Sequence, residues 1–183
     1  MSFNVNDIRA NLALDGARPT QFMVEITNPF DGATALKAPF LVKASSIPAS
    51  NLGLVEIPYF GRPIKLAGDR TYDNWGVRVI NDEDFVLRDS FERWHALINT
   101  PTGNVRDEDA AGLNYKSQAI VSQFGKTGSI IRRYRFDGIF PLSVGEIALD
   151  WGAVNTVEEF TVIFAVDKWV PLPSSTGDGG GDS

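Results

Sequence analysis

The chain has 183 residues, a mass of 20.0 kDa, no cysteine, a formal net charge of −6 and an isoelectric point near 4.8. The missing cysteine excludes disulfides, thiolate nucleophiles and Cys-ligated metal centres, and the acidic balance argues against tight nucleic-acid binding, which relies on clustered Lys and Arg. Twelve Phe and four Trp supply apolar area for a globular core, and no apolar run approaches the roughly 20 residues that span a bilayer.

In chain order, residues 1–20 mix scattered apolar positions with Asn, Asp, Gly and Pro and show no apolar signal-peptide core, so an N-terminal arm is expected ahead of one domain over 21–172. Phe22, Val24 and Ile26 alternate with Met23, Glu25 and Thr27, the period of a half-buried strand, until Asn28, Pro29, Asp31 and Gly32 end it. A second strand is predicted over Pro39 to Ser46. From Leu52 to Gly68 two apolar arms flank PYFGRP, where Gly61 suits a tight reversal and Pro58 and Pro63 suit a projecting hairpin. Val55, Ile57, Tyr59, Phe60 and Ile64, with Arg62 among them, place apolar groups at a turn where a monomer normally has polar ones, and mark a candidate assembly surface. An ordinary surface hairpin is the alternative on pattern alone.

Trp75, Val77 and Val79 face one way and Arg78 and Ile80 the other, giving a further strand. A helix is predicted over about 84–99, because Leu87, Phe91, Trp94 and Ile98 make one apolar stripe, with Phe91 and Trp94 as its main packing residues. Asn81, Asp82 and Asp84 are candidate caps whose charge suits the helix dipole, and Asn99, Thr100 and Pro101 close the helix. A polar loop over 101–114 precedes strands predicted at Tyr115 to Phe124, Ile130 to Phe140, Val144 to Asp150 and Glu158 to Val166. The tail 173–183, rich in Gly, Asp and Ser, is expected to be disordered. These elements predict a mostly β fold, an antiparallel β-sandwich or barrel with one packed α-helix and a projecting β-hairpin.

No constellation for catalysis or cofactor binding emerges. His95 has no partner at metal-ligand spacing, and GKTGS at Gly125 to Ser129 lacks the spaced glycine and following helix of a phosphate loop and reads as a hairpin turn. Asp82, Glu83 and Asp84 lack the glycine and distant glutamate of a calcium loop, and Asp107, Glu108 and Asp109 read as solvated. Arg132, Arg133 and Arg135 form a basic stripe better suited to a complementary acidic surface than to nucleic acid.

Four blocks carry a family resemblance: AGDRTYDNWGVRV at Ala67 to Val79, NDEDFVLRDSFERW at Asn81 to Trp94, YRFDGIFPLSVGEIALDW at Tyr134 to Trp151 and EEFTVIFAVDKW at Glu158 to Trp169. In order and spacing the chain resembles the tail tube proteins of contractile-tailed bacteriophages. The resemblance implies a structural virion protein, not an enzyme, with no cofactor or membrane anchor. It also implies six copies joined side by side into rings, rings stacked into the inner tube through which DNA is ejected, and partners in the sheath, baseplate and terminator. Acidic groups would face the bore. Matching positions of mostly structural role are Asn81 to Phe85, Phe91, Trp94, Asp150, Trp151, Phe160, Phe164 and Trp169; Gly152, Ala153 and Val154 and the glycine-rich tail depart from the family pattern. The same ring physics serves the tube of a contractile injection or secretion system, which stays open as an alternative. A monomeric β-sandwich binding module would require a concave apolar site with converging polar groups.

Overall fold

Strands β1 (Phe22–Ile26) and β6 (Ser117–Phe124) pair antiparallel and open the sheet order of the domain. The computed structural model describes residues 10–11 and 16–173, so most of the expected arm and nearly all of the expected tail lie outside the described residues. Next to β6 runs β7 (Ile130–Val144), whose first half also pairs with β9 (Lys168–Leu172). Its second half pairs instead with β8 (Glu159–Ala165), which continues through β5 (Trp75–Ile80) to β2 (Val42–Ser45). One long strand therefore belongs to two four-stranded antiparallel layers, β1-β6-β7-β9 and β2-β5-β8-β7. The mostly β, antiparallel class read from the sequence is the observed one, with the layers facing each other as an open sandwich.

Alternation decides which residues meet between the layers. Val24, Ile26, Ala119, Val121 and Phe136 point inward from the first, and Trp75, Val77, Val79, Phe160, Val162 and Phe164 from the second. Trp75 stacks on Phe136 with ring centroids 4.7 Å apart and planes 11° from parallel, closing the gap between layers. Its indole N–H donates to Ser45 Oγ at 3.0 Å, so the buried ring leaves no polar atom unsatisfied. The predicted helix is α2 (Val86–Ile98), which seals the open side of the sandwich: Leu87, Phe91 and Trp94 are buried, with Phe91 and Trp94 against Phe164.

Three differences from the sequence-based expectation have physical causes. A second helix, α1 (Ala33–Leu41), occupies the start of the predicted strand Pro39 to Ser46, leaving β2 only Val42–Ser45. Pro39 sits inside this nine-residue helix, and a buried polar knot holds α1 in place. Asn28 Nδ2 donates to Ser90 Oγ at 3.0 Å, which lies 2.6 Å from Thr34 Oγ1, tying α1 to α2. The strand predicted over Val144 to Asp150 does not form, because β8 already has partners on both sides and Gly145 to Glu158 become a loop. Finally β9, with Pro171 and little alternation, was not anticipated.

Gly138, at φ +68, is the bulged residue of β7 between Asp137 and Ile139, the last two positions facing β6, just before pairing with β8 begins at Phe140. A Cβ there would land on the Asp167 carboxylate, which holds Lys116 at 2.6 Å. Gly138→Ala should lower stability by about 1–3 kcal/mol through left-handed strain. Gly76→Ala, with nothing within 4 Å of the added methyl, should stay within about 0.5 kcal/mol of wild type in the same urea titration.

Candidate functional site

Strands β3 (Ser50–Tyr59) and β4 (Arg62–Tyr72) form a separate two-stranded sheet inserted between β2 and β5. With ten residues in β3, the hairpin reaches roughly 30 Å at about 3.3 Å per residue. Near its base Tyr72 meets Trp169 edge-on at 5.9 Å. Beyond that contact nearly every position is exposed.

Register separates the two faces of the hairpin. Val55 pairs with Leu66, Ile57 with Ile64 and Tyr59 with Arg62, so these six share one face. Glu56 with Lys65 and Pro58 with Pro63 occupy the other, where the charged pair is 3.7 Å apart. All of the sequence-predicted hairpin residues, Val55, Ile57, Tyr59, Arg62 and Ile64, therefore converge on one exposed face, and Phe60 stands at the tip beyond them. An apolar ladder face of this length, exposed among the described residues, is more than a monomer normally leaves to solvent.

The turn itself is strained. Phe60 at φ +43 and Gly61 at φ +82 are the two central residues of a primed turn, which favours Asn-Gly. Phe60 is 91% exposed, touching Tyr59 edge-on at 4.7 Å. A non-glycine residue in the left-handed region costs roughly 1–2 kcal/mol, and neither burial nor a side-chain hydrogen bond offsets that here. In dilute monomer, Phe60→Asn should slow amide exchange across β3 and β4 by roughly fivefold, while any function carried by the ring is lost.

The junction Asn81 to Phe85 gathers the other predicted site residues. Of the three expected caps, only Asp84 reaches a first-turn amide, accepting from Val86 N at 3.2 Å. The cap position belongs to Phe85, left-handed at φ +54, with no side-chain capping bond. Asn81 turns toward the loop before β8, its backbone N–H donating to Glu158 O at 2.8 Å and its amide to Glu158 Oε2 at 2.9 Å. Asp82 and Asp84 both hold Lys37 of α1, Asp82 at 3.3 Å. Phe91 and Trp94 pack in the core, and the Trp94 indole donates to Tyr115 O at 2.9 Å.

The Lys37 ammonium holds the Asp84 carboxyl below its ordinary value, the Val86 amide adds to this, and the same contact with Asp84 raises Lys37. A lowered carboxylate contributes stability above its unfolded pKa and loses it as pH falls through the folded value. A raised lysine contributes below its unfolded pKa and loses it as pH rises through the folded one. Lys37→Met should therefore lower the urea midpoint at neutral pH, and that difference should shrink as pH falls through the lowered Asp84 value.

Elsewhere the sequence candidates resolve into local structure. Gly125 to Ser129 is the β6–β7 turn, with Gly125 N bonded to Ser129 O at 2.8 Å. Asp107 accepts from Asp109 N at 3.0 Å at the start of a short 3-10 turn. Arg135 pairs with Asp137 at 3.0 Å, and Arg132 lies over the Tyr134 ring. No group of His, Asp and Glu able to hold a metal occurs among the described residues. A depression beside α2, lined by Arg88, Glu92, Arg93 and Val144, is charged and open to solvent. Among the described residues no helix is long and apolar enough to cross a membrane.

Sequence reasoning assigned Trp151 a structural role, yet it is 104% exposed and lies on the Gly145 to Glu158 loop with exposed Leu149, Val154 and Val157. Acidic residues Glu146, Asp150 and Glu158 also lie on this loop, whereas the outward face of the first layer sets Glu25 and Asp137 beside Arg133, Arg135 and Lys168, one positive charge in excess. Side-chain exposure of a tryptophan before a strand has no periodic signature, so this surface was not legible.

The described residues form a sandwich with open margins and exposed apolar extensions. The family model described as "Phage tail tube protein" matches residues 16–171, and the chain belongs to that family, a component of the phage tail. It is 34% identical over 167 residues to the tail tube protein gp19 of Enterobacteria phage T4, covering 90% of this chain and 98% of that relative. Its fold is similar to a chain of the PVC extracellular contractile injection system sheath-tube complex, with a TM-score of 0.58, 14% identity and coverage of 93% and 99% of the two chains. It is also similar to a chain of the anti-feeding prophage tube terminating cap, with a TM-score of 0.62, 14% identity and coverage of 94% and 99%.

Proposed function

We propose that this chain builds the inner tube of a contractile phage tail, as hexameric rings joined through their sheet margins and stacked through the β3–β4 hairpin. The carrying observation is the one-sided apolar ladder of that hairpin, exposed in the single chain. Open margins support lateral joining: β1 pairs only with β6, β9 only with β7, and the two outer strands run antiparallel to each other. One copy can thus continue the sheet of the next without a parallel break, and a closed ring removes both edges of that layer.

DNA passing along such a tube would meet whichever sheet face lines the bore. On the first layer Asp137 is ion-paired with Arg135 at 3.0 Å and with Lys168 at 4.0 Å, so the basic groups of that face are partly neutralised toward phosphate. Contact with sheath, baseplate and terminator proteins follows from the same reading. The 34% identity to a phage tube protein favours phage over injection-system use.

The test is electron microscopy with sedimentation of the purified full-length chain. Rings and tubes of uniform diameter are expected, and a persistent monomer of 20.0 kDa at high concentration would refute the reading. Ile57→Asp, at a half-exposed hairpin position outside the core, should leave a folded domain and reduce tubes at least tenfold, or by about 1.4 kcal/mol per contact.

A further inference from the structure

Hairpin and Trp151 loop lie at opposite ends of the second layer. The hairpin returns into β5 at Trp75, which faces Phe164 near the end of β8. The loop joins Val144, which faces Val162, to Glu159, which faces Ile80 at the far end of β5. Roughly 17 Å of strand separates these poles at about 3.3 Å per residue. Their chemistry is complementary. The hairpin beyond Leu54 carries Arg62 and Lys65 against Glu56, with Phe60 at the tip. The opposite pole carries Glu146, Asp150 and Glu158 on the loop that exposes Trp151, with Glu158 bonded to Asn81. Both surfaces expose apolar groups, and Arg62 on the hairpin is opposite in sign to Glu146 and Asp150 on the loop.

Building on the stacked-ring reading, we propose that the hairpin tip of one copy docks on the Gly145 to Glu158 loop of a second copy in the next ring, Phe60 against Trp151, with Arg62 facing the acidic rim. A fully exposed Trp beside exposed Leu149 and Val154 supplies an aromatic anchor of the kind that dominates interface energies. The strain at Phe60 fits the same account, since Asn would satisfy the turn better and only an external contact makes use of the ring. Opposite poles give a head-to-tail contact that does not close on itself, so repetition produces a polar filament. The opposed charges steer the approaching ring and disfavour the inverted stack, which would bring like poles together.

The experiment compares wild type, Trp151→Ala and Phe60→Ala, each as full-length protein, by negative-stain microscopy and circular dichroism. Each variant alone should keep its fold and its rings while tubes fall at least about tenfold. Mixed, the two variants should form paired rings but no longer stacks, because a Trp151→Ala ring keeps its hairpins and a Phe60→Ala ring keeps its acceptors. Tubes at wild-type level from Trp151→Ala, or no paired rings in the mixture, would overturn the docking while leaving the tube function intact. Loss of rings in Trp151→Ala would also overturn it, by assigning the loop to lateral contacts. Failure of wild type to form rings or tubes would instead refute the function itself.

Discussion

Every strand carries backbone donors and acceptors on both of its sides, and an edge strand satisfies only one side within its own sheet. This domain has two layers sharing β7, so β1, β9, β2 and the second half of β7 are all margins. The margins are only partly blunted: Pro141 and Pro171 remove donors from β7 and β9, and β2 is short and irregular, whereas β1 has neither proline nor bulge. The hairpin adds two more open sides and an apolar face. A chain of this kind keeps its core for itself and leaves its margins to other chains.

Core and margin follow different physical rules. Inside, Trp75 on Phe136, Phe91 on Phe164 and the Asn28–Ser90–Thr34 knot are complete, with indole and amide groups bonded. Outside, Phe60 occupies a strained turn position and Trp151 touches solvent on all sides. Local preference and observed residue conflict at these two places, as they also do at left-handed Phe85 and at Pro39 inside α1.

Legibility in the sequence tracks the same division. Strands β5 and β8 were readable because Trp75, Val77 and Val79, and Phe160, Val162 and Phe164, alternate with residues of different environment. Helix α2 was readable from a stripe whose members Phe91 and Trp94 are fully buried. The hairpin was readable from Gly61 and its flanking prolines, and the pairing adds that its apolar residues share one face. Helix α1 was hidden by Pro39 and its short length, since a proline argues against a helix unless tertiary contacts hold it. The Val144 to Asp150 segment had strand-like spacing, but the neighbouring β8 is already paired on both sides by β5 and β7, a fact about the rest of the sheet. Cap assignment failed in part because Asn81 bonds Glu158, 77 positions away, a contact no local window contains.

The central claim is that assembly completes strands and surfaces which the single chain leaves unfinished. Amide hydrogen exchange on assembled protein against dilute monomer tests it most directly. The account predicts strong new protection in β1 and β9 at the margins and in β3 and β4 of the hairpin, with the core strands β5 and β8 unchanged. Identical exchange in the two states at the margins and the hairpin would contradict it.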